Sequence, residues 1–268
     1  MIDVIIPTKN SAESLWMTLT YFWDYGYDPS LIASVILLDN CSSTPRHKQV
    51  MDTCQKMERH QVIRHENDVG VWCSINRGLA MTTQRYVLVL TSDVLLGPDV
   101  IKNMLEFAQK KDYVNVGPDT LIGIKELERL RNDKRELSVD FRYNGSVWLL
   151  DWGRLKEEVG WYDPQFYISF GDVDYIERLH GKATATGDNT YSPVVLRNLW
   201  TVHMDKQTRR TEMNSERDTE MELRDGSRFR EKWKDRPDVI AMHPELSKEG
   251  YVQWKEHDLG GWEQARVK

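Results

Sequence analysis

Three carboxylates occupy places from which side chains do chemistry in α/β proteins. Asp39 and Asp93 follow the apolar runs Val35-Ile36-Leu37-Leu38 and Tyr86-Val87-Leu88-Val89-Leu90, Asp93 after the polar pair Thr91-Ser92. Such runs, apolar without alternation, read as buried parallel strands, and their carboxyl ends form the edge where open α/β sheets bind ligands. Asp172, with Asp174 two residues on, stands at the mouth of a helix whose Val173, Ile176 and Leu179 face inward. Carboxylates so placed can hold a cation, or take a proton from a reacting hydroxyl. Each also has a plainer reading. Asp39 would cap the turn from Asn40 to Ser43, Asp93 the following helix and Asp172 its own helix, with Asp174 a solvated neighbour.

The elements that position them follow from local pattern. Asp3-Val4-Ile5-Ile6-Pro7-Thr8 is a short strand closed by Pro7, and Asn10-Ser11-Ala12-Glu13 resembles a capping box before a helix carrying Leu15, Leu19 and Phe22, ended by Gly26. Ser34 to Asn40 is the second strand. Ser42-Ser43-Thr44-Pro45 opens a helix with Val50, Met51, Cys54 and Met57 on its buried face, and Val62-Ile63-Arg64 is a short third strand. After the turn Asn67-Asp68-Val69-Gly70, a helix with Ile75, Leu79 and Ala80 inward leads to the central strand. This alternation predicts a right-handed, mostly parallel, doubly wound sheet.

Further along, Gly97-Pro98 opens a helix with Ile101, Met104, Leu105 and Ala108 inward, and Tyr113 to Val116 is a strand. Ile122 to Arg135 reads as a charged helical insertion. Val147-Trp148-Leu149-Leu150 is a strand, Arg154 to Val159 a helix, and Gly160-Trp161-Tyr162-Asp163-Pro164 a turn rich in rings. Thr184 to Thr186 and Val194 to Val202 are expected as strands, and Thr211 to Lys234 as a long charged helix before a tail with Trp254 and Trp262.

With 268 residues the chain can bury a sizeable core. No run of about 18 apolar residues suggests a membrane span and no signal peptide opens the chain. Cys41, Cys54 and Cys73 lack metal-ligand spacing and are odd in number, which predicts reduced thiols and a cytoplasmic protein. Thirty-six basic against 42 acidic residues give a net charge of −6, which disfavours indiscriminate phosphate binding over the whole surface.

Several motifs in order resemble the family-2 glycosyltransferases of the GT-A fold. They are Val4-Ile5-Ile6-Pro7-Thr8-Lys9-Asn10, Leu37-Leu38-Asp39-Asn40-Cys41-Ser42-Ser43, Asn67-Asp68-Val69-Gly70 with Asn76-Arg77-Gly78, Leu90-Thr91-Ser92-Asp93, and Val159 to Phe166 followed by Phe170-Gly171-Asp172-Val173-Asp174. The resemblance covers about residues 2 to 208. It implies a Rossmann-like, mostly parallel sheet flanked by helices, with a nucleotide-sugar half over residues 1–118, an acceptor half over 119–210 and a helical extension over 211–268. Two positions depart from the family pattern: Thr91 replaces the first acid of the Asp-x-Asp metal motif, and Gly171 replaces the Glu of the Glu-Asp acceptor motif.

By this resemblance Asp93 and His203 would hold Mn²⁺ or Mg²⁺ against the diphosphate of a nucleotide-sugar donor. Asp39 would read the nucleobase of a UDP- or dTDP-sugar. Pro7, Thr8 and Asn10 would line the same pocket, Arg64 or Asn76 would reach the ribose or base edge, and Ser92 would join Asp93 at the donor. Asp172 would be the general base of an inverting transfer, with Trp161, Tyr162 and Asp174 facing the acceptor and Phe166 and Tyr167 as further rings. Lys206 and Arg209, with Arg210, would close over the diphosphate or form an ordinary solvated run.

The acceptor would be a saccharide or lipid-linked sugar. The alternative is a hydroxymethylated DNA base, as modified by small stand-alone phage relatives, which would place the enzyme in the cytoplasm of a bacterium or a phage-infected host. Arg228, Arg230, Lys232 and Lys234 would then be sought in a basic groove, although interleaved acids nearly cancel them. From other classes, a nucleotidyltransferase would use similar strand-end acids, yet Pro7-Thr8-Lys9-Asn10 lacks the glycines of its phosphate loop. A non-catalytic sugar-nucleotide-binding module accommodates Thr91 and Gly171.

Overall fold

The computed structural model describes residues 1–122, 138–140, 145–204 and 215–242. Its centre is a nine-stranded sheet. In chain order the strands are β1 (Ile2–Thr8), β2 (Ile32–Asp39), β3 (His60–Arg64), β4 (Tyr86–Leu90), β5 (Val94–Leu96), β6 (Asn115–Ile122), β7 (Ser138–Asp140), β8 (Val147–Asp151) and β9 (Val194–His203). The helices are α1 (Ala12–Tyr21), α2 (Pro45–Cys54), α3 (Val71–Met81), α4 (Val100–Lys111), α5 (Trp152–Glu158), α6 (Gly171–Thr186), α7 (Ser215–Lys232) and α8 (Pro237–Ala241).

Strand order is β3-β2-β1-β4-β8-β6-β9-β5, with β7 paired to β9. The first four are parallel neighbours, as their βα repeats require. Beyond them β8 pairs antiparallel with both β4 and β6, β6 pairs parallel with β9, and β5 and β7 pair antiparallel with β9. Thus β5, β7 and β8 run against the other six strands, and the sheet is mostly parallel in direction.

The unalternating apolar runs have a direct cause: these strands are buried on both faces. Val4 and Ile6, Val35 and Leu37, and Leu88 and Leu90 face one core with Leu15 of α1, Val50 and Met51 of α2 and Ile101, Met104 and Leu105 of α4. Ile5, Ile36, Leu38, Val87 and Val89 face the other, with Ile75 and Leu79 of α3, Leu179 of α6 and Phe229 of α7. Successive strand side chains point to opposite faces, so one run supplies two cores.

Local signals set the boundaries. Thr44 accepts the His47 N–H at 3.3 Å and Pro45 opens α2. Thr184 to Thr186, expected as a strand, is instead the last turn of α6, which ends where Gly187 takes a left-handed φ of 71°. The short β-branched run carried the wrong period. The strand expected from Tyr113 begins at Asn115 and continues to Ile122, so the inferred insertion starts inside β6, and the rest of it, 123–135, lies outside the described residues. Residues 211–214 of the expected charged helix, and the tail with Trp254 and Trp262, also lie outside them.

Candidate active site

Asp93 follows β4 immediately before β5, and His203 ends β9. Antiparallel pairing of Val94 with His203, and the bond from Met204 N–H to the Asp93 carbonyl at 2.8 Å, bring the two together. His203 Nε2 stands 3.3 Å from Asp93 Oδ2. Burial pushes the Asp93 carboxyl up, but the hydrogen bond and charge of His203 outweigh this and hold it below the usual carboxylate range. The buried Thr91 hydroxyl stands beside the same carboxylate and lowers its pKa further. At the same strand edge a chain of hydroxyls joins β1 to β4: Thr8 Oγ1 to Ser11 Oγ at 2.8 Å, then Ser11 Oγ to Ser92 Oγ at 3.1 Å.

Asp39, at the end of β2, is fully buried and accepts the Ser42 N–H at 2.9 Å. Arg64, at the end of β3, places Nε 3.6 Å from Asp39 Oδ2 and donates through Nη2 to the Ser42 carbonyl. Asn10 accepts the Ser43 N–H at 2.6 Å and closes the corner. Asp39 therefore does hold its turn, and a carboxylate with about four acceptor positions retains capacity for a ligand donor. Behind it His47 is buried, its Nε2 3.8 Å from Asp39 Oδ1 and neither ring nitrogen hydrogen-bonded; burial, partly opposed by Asp39, lowers its pKa.

Asp68 joins this corner to the loop that precedes α6. Its carboxylate takes Lys9 Nζ at 2.5 Å, Asn40 Nδ2 at 2.7 Å, the Gly70 N–H at 3.2 Å and the Tyr167 hydroxyl. Burial raises its pKa, but the bonds from Lys9 and Tyr167 outweigh that and hold it low. Gly70 has φ +81°, and a Cβ there would lie 2.5 Å from the Tyr167 carbonyl oxygen. The turn thus admits glycine for both conformation and space.

Asp172 sits half-buried in the first turn of α6, its Oδ1 accepting the Val173 N–H at 2.9 Å. Phe170 immediately before the helix is left-handed, φ 61°, a strained backbone for a bulky residue that costs on the order of 1–3 kcal/mol. Gly171 explains one departure from the family pattern: a Cβ there would stand 2.5 Å from Trp72 Nε1. Trp72 stacks on Tyr162 at 5.2 Å and fills the space a side chain at 171 would need.

Several expected residues are placed differently. Tyr162 is buried, stacked on Tyr175 at 4.3 Å, with its hydroxyl accepting from Trp148 Nε1 at 2.6 Å, so it is core and not an acceptor-facing ring. Phe166 is buried as well. Asp174 is fully buried between Arg178 Nε at 3.1 Å, Lys232 Nζ at 2.8 Å and Trp233 Nε1 at 3.1 Å, and does not face an acceptor. Asn76 exchanges two hydrogen bonds with the backbone of Tyr162 and so ties α3 to that turn. Pro7 is buried within β1, and Trp161 alone of the four rings is exposed. Lys206, Arg209 and Arg210 lie outside the described residues. Lys9 and Asp68 were legible only as parts of motifs, and Trp72 and Asp225 carried no sequence signal.

The fold defines the class. GalNAc-T7, solved with UDP, GalNAc and Mn²⁺, is similar at TM-score 0.59 and 16% identity over 76% of this chain and 43% of that one. The mannosyltransferase PcManGT of Pyrobaculum calidifontis, solved with GDP-Man and Mn²⁺, gives TM-score 0.58 and 16% identity over 76% and 56%. S. aureus TarS gives 0.54 and 15% over 76% and 35%. The chain thus spans about half or less of each, and shares with them the GT-A fold. The sequence model of the family described as Glycosyl transferase family 2 matches residues 3–169. The chain belongs to that family. No curated protein matches its sequence.

Proposed function

We propose that the chain transfers a sugar, with inversion, from a UDP- or dTDP-sugar to an acceptor hydroxyl, using a divalent cation and Asp172 as general base. The observation that carries this reading is the Asp93–His203 pair, an oxygen and a nitrogen donor 3.3 Å apart at a strand edge. No group of three or more His, Cys, Asp or Glu able to hold a metal occurs among the described residues. Asp93 and His203 would hold the cation through an oxygen and a nitrogen, leaving room for oxygens of the donor to complete its coordination. When bound, Mn²⁺ or Mg²⁺ would supply Lewis-acid neutralisation of the departing diphosphate.

The chain's own residues do the rest. Asp39, braced by Arg64 and Ser42, accepts the imide N–H of the base, while the Thr8-Ser11-Ser92 hydroxyls line the floor between base and diphosphate. The acceptor hydroxyl attacks the anomeric carbon opposite the diphosphate. Its proton passes to Asp172, the new glycosidic bond forms, the carbon–phosphate-oxygen bond breaks, and nucleoside diphosphate leaves. One displacement inverts the centre.

A saccharide or lipid-linked sugar is the favoured acceptor. Arg228 donates to the Gln165 carbonyl, Lys232 pairs with Asp163 and Asp174, and Lys234 pairs with Glu231, so these cations already have partners within the chain, which counts against a phosphate groove there. No described helix is long and apolar enough to cross a membrane.

The test is Mn²⁺- or Mg²⁺-dependent release of nucleoside diphosphate from UDP-, dTDP- and GDP-sugars, with and without hydroxymethylated DNA. Turnover lost in Asp93→Ala and Asp172→Asn is expected. Full activity in both variants would sink the assignment, and stimulation by the DNA would replace the saccharide acceptor with a nucleic acid.

A further inference from the structure

The loop 161–170 has no regular secondary structure, yet it delivers Asp172. Three of its successive amides, Tyr167, Ile168 and Ser169, converge on one carboxylate, Asp225 of α7. Oδ1 accepts Tyr167 N–H at 3.1 Å, and Oδ2 accepts Tyr167, Ile168 and Ser169 N–H at 3.1, 2.9 and 3.0 Å. Asp225 is fully buried. One turn further along α7, Phe229 is buried and packs its ring 5.8 Å from Phe170, the strained residue that precedes α6. Consecutive backbone N–H groups make a concave anion site, and here the anion belongs to the protein.

We propose that Asp225 is a positioning residue that fixes the general base: by holding the amides of 167–169 it keeps Phe170 left-handed and sets where Asp172 emerges. A strained residue persists only where its surroundings over-determine it, and such strain collects at functional sites. The donor half clamps the same loop from the other side, through Tyr167 to Asp68 and through Val71 N–H to the Tyr167 carbonyl at 2.8 Å. The family match ends at residue 169, so α7 is a feature of this chain outside the matched segment. The functional consequence rests on Asp172 being the base, whereas the loop restraint does not.

The experiment therefore has two arms. In the first, amide hydrogen exchange is followed in the wild type and in Asp225→Asn, which keeps size but loses an acceptor oxygen. Amides 167–169 are expected to be protected in the wild type despite lying in a loop, and to exchange at least about tenfold faster in the variant, with β1 and β4 unchanged. Unprotected wild-type amides, or protection equal in both proteins, would overturn the proposal without any assay of activity. In the second, Mn²⁺-dependent hydrolysis of the donor turned over fastest among UDP-glucose, UDP-N-acetylgalactosamine, dTDP-glucose and GDP-mannose is measured with water as acceptor. Asp225→Asn is expected to lower kcat roughly 100-fold with donor KM within about twofold, because a displaced base costs rate rather than donor affinity. An equal fall through KM would mark Asp225 as merely structural. Should Asp172→Asn retain full kcat, the base assignment fails, and exchange at 167–169 alone decides the restraint.

Discussion

The proposed donor and acceptor sides of the site are built on different principles. On the donor side, Thr8, Asp39, Arg64, Ser92 and Asp93 lie at or just beyond the ends of β1 to β4, and their positions follow from parallel strands in register. On the acceptor side, Asp172 depends on a loop whose restraints arrive from Asp68, nearly a hundred residues before it in the chain, and from Asp225. A sheet edge places functional groups by regular geometry, whereas a loop requires dedicated partners for its backbone amides. The donor side should consequently respond to substitution through local affinity, and the acceptor side through placement.

The largest effect that sharpens this contrast is at Asp39. Replacement by Asn keeps the shape but removes an acceptor from the imide N–H that Asp39 is proposed to bind. Loss of a charge-assisted hydrogen bond of about 1.5–3 kcal/mol is expected to raise donor KM roughly 10- to 150-fold. The kcat at saturating donor should change far less, and kinetics over a donor titration check this. A fall confined to kcat would show that Asp39 acts on placement, and the two sides would not differ as described.

Next comes Gly171→Glu, which restores the acid of the family pattern. Because Trp72 Nε1 occupies the space, the new side chain is expected to destabilise the fold by about 1–3 kcal/mol. Adding Trp72→Ala should recover part of that loss. Urea denaturation of the two single variants and the double variant gives the coupling, and strict additivity would show that the indole and position 171 do not compete.

What the sequence disclosed divides along the same line. Buried parallel strands leave apolar runs, and strand-end acids sit next to them, so Asp39 and Asp93 could be found by reading along the chain. The short β5–β9 pairing that brings His203 to Asp93 leaves no such trace, and His203 came only from the family resemblance. Tyr162 and Asp174 were misplaced because ring type and proximity to Asp172 say nothing about which helical or turn face is buried. Asp174 lies two residues from Asp172, some 200° around α6, and there it meets Lys232 of α7. Asp225 is one acid among many in a charged helix, and nothing local distinguishes it until the helix docks.

The smallest effect tests the seam where the two sides meet. Tyr167→Phe removes one donor from Asp68 and is expected to cost about 1–2 kcal/mol at neutral pH. The folded-state pKa of Asp68 is held down by Lys9 and Tyr167, against burial. Stability from a lowered carboxyl pKa is fully present above the unfolded value, near 3.9, and is lost as pH falls through the folded value. Removing a donor raises the folded value, so the Tm difference between wild type and variant should be widest near pH 7 and should narrow on acidification below about pH 4. Thermal melts across that range decide it. A difference that stays constant with pH would mean that Tyr167 contributes packing alone, and that the charge on Asp68 does not join the donor corner to the loop that carries Asp172.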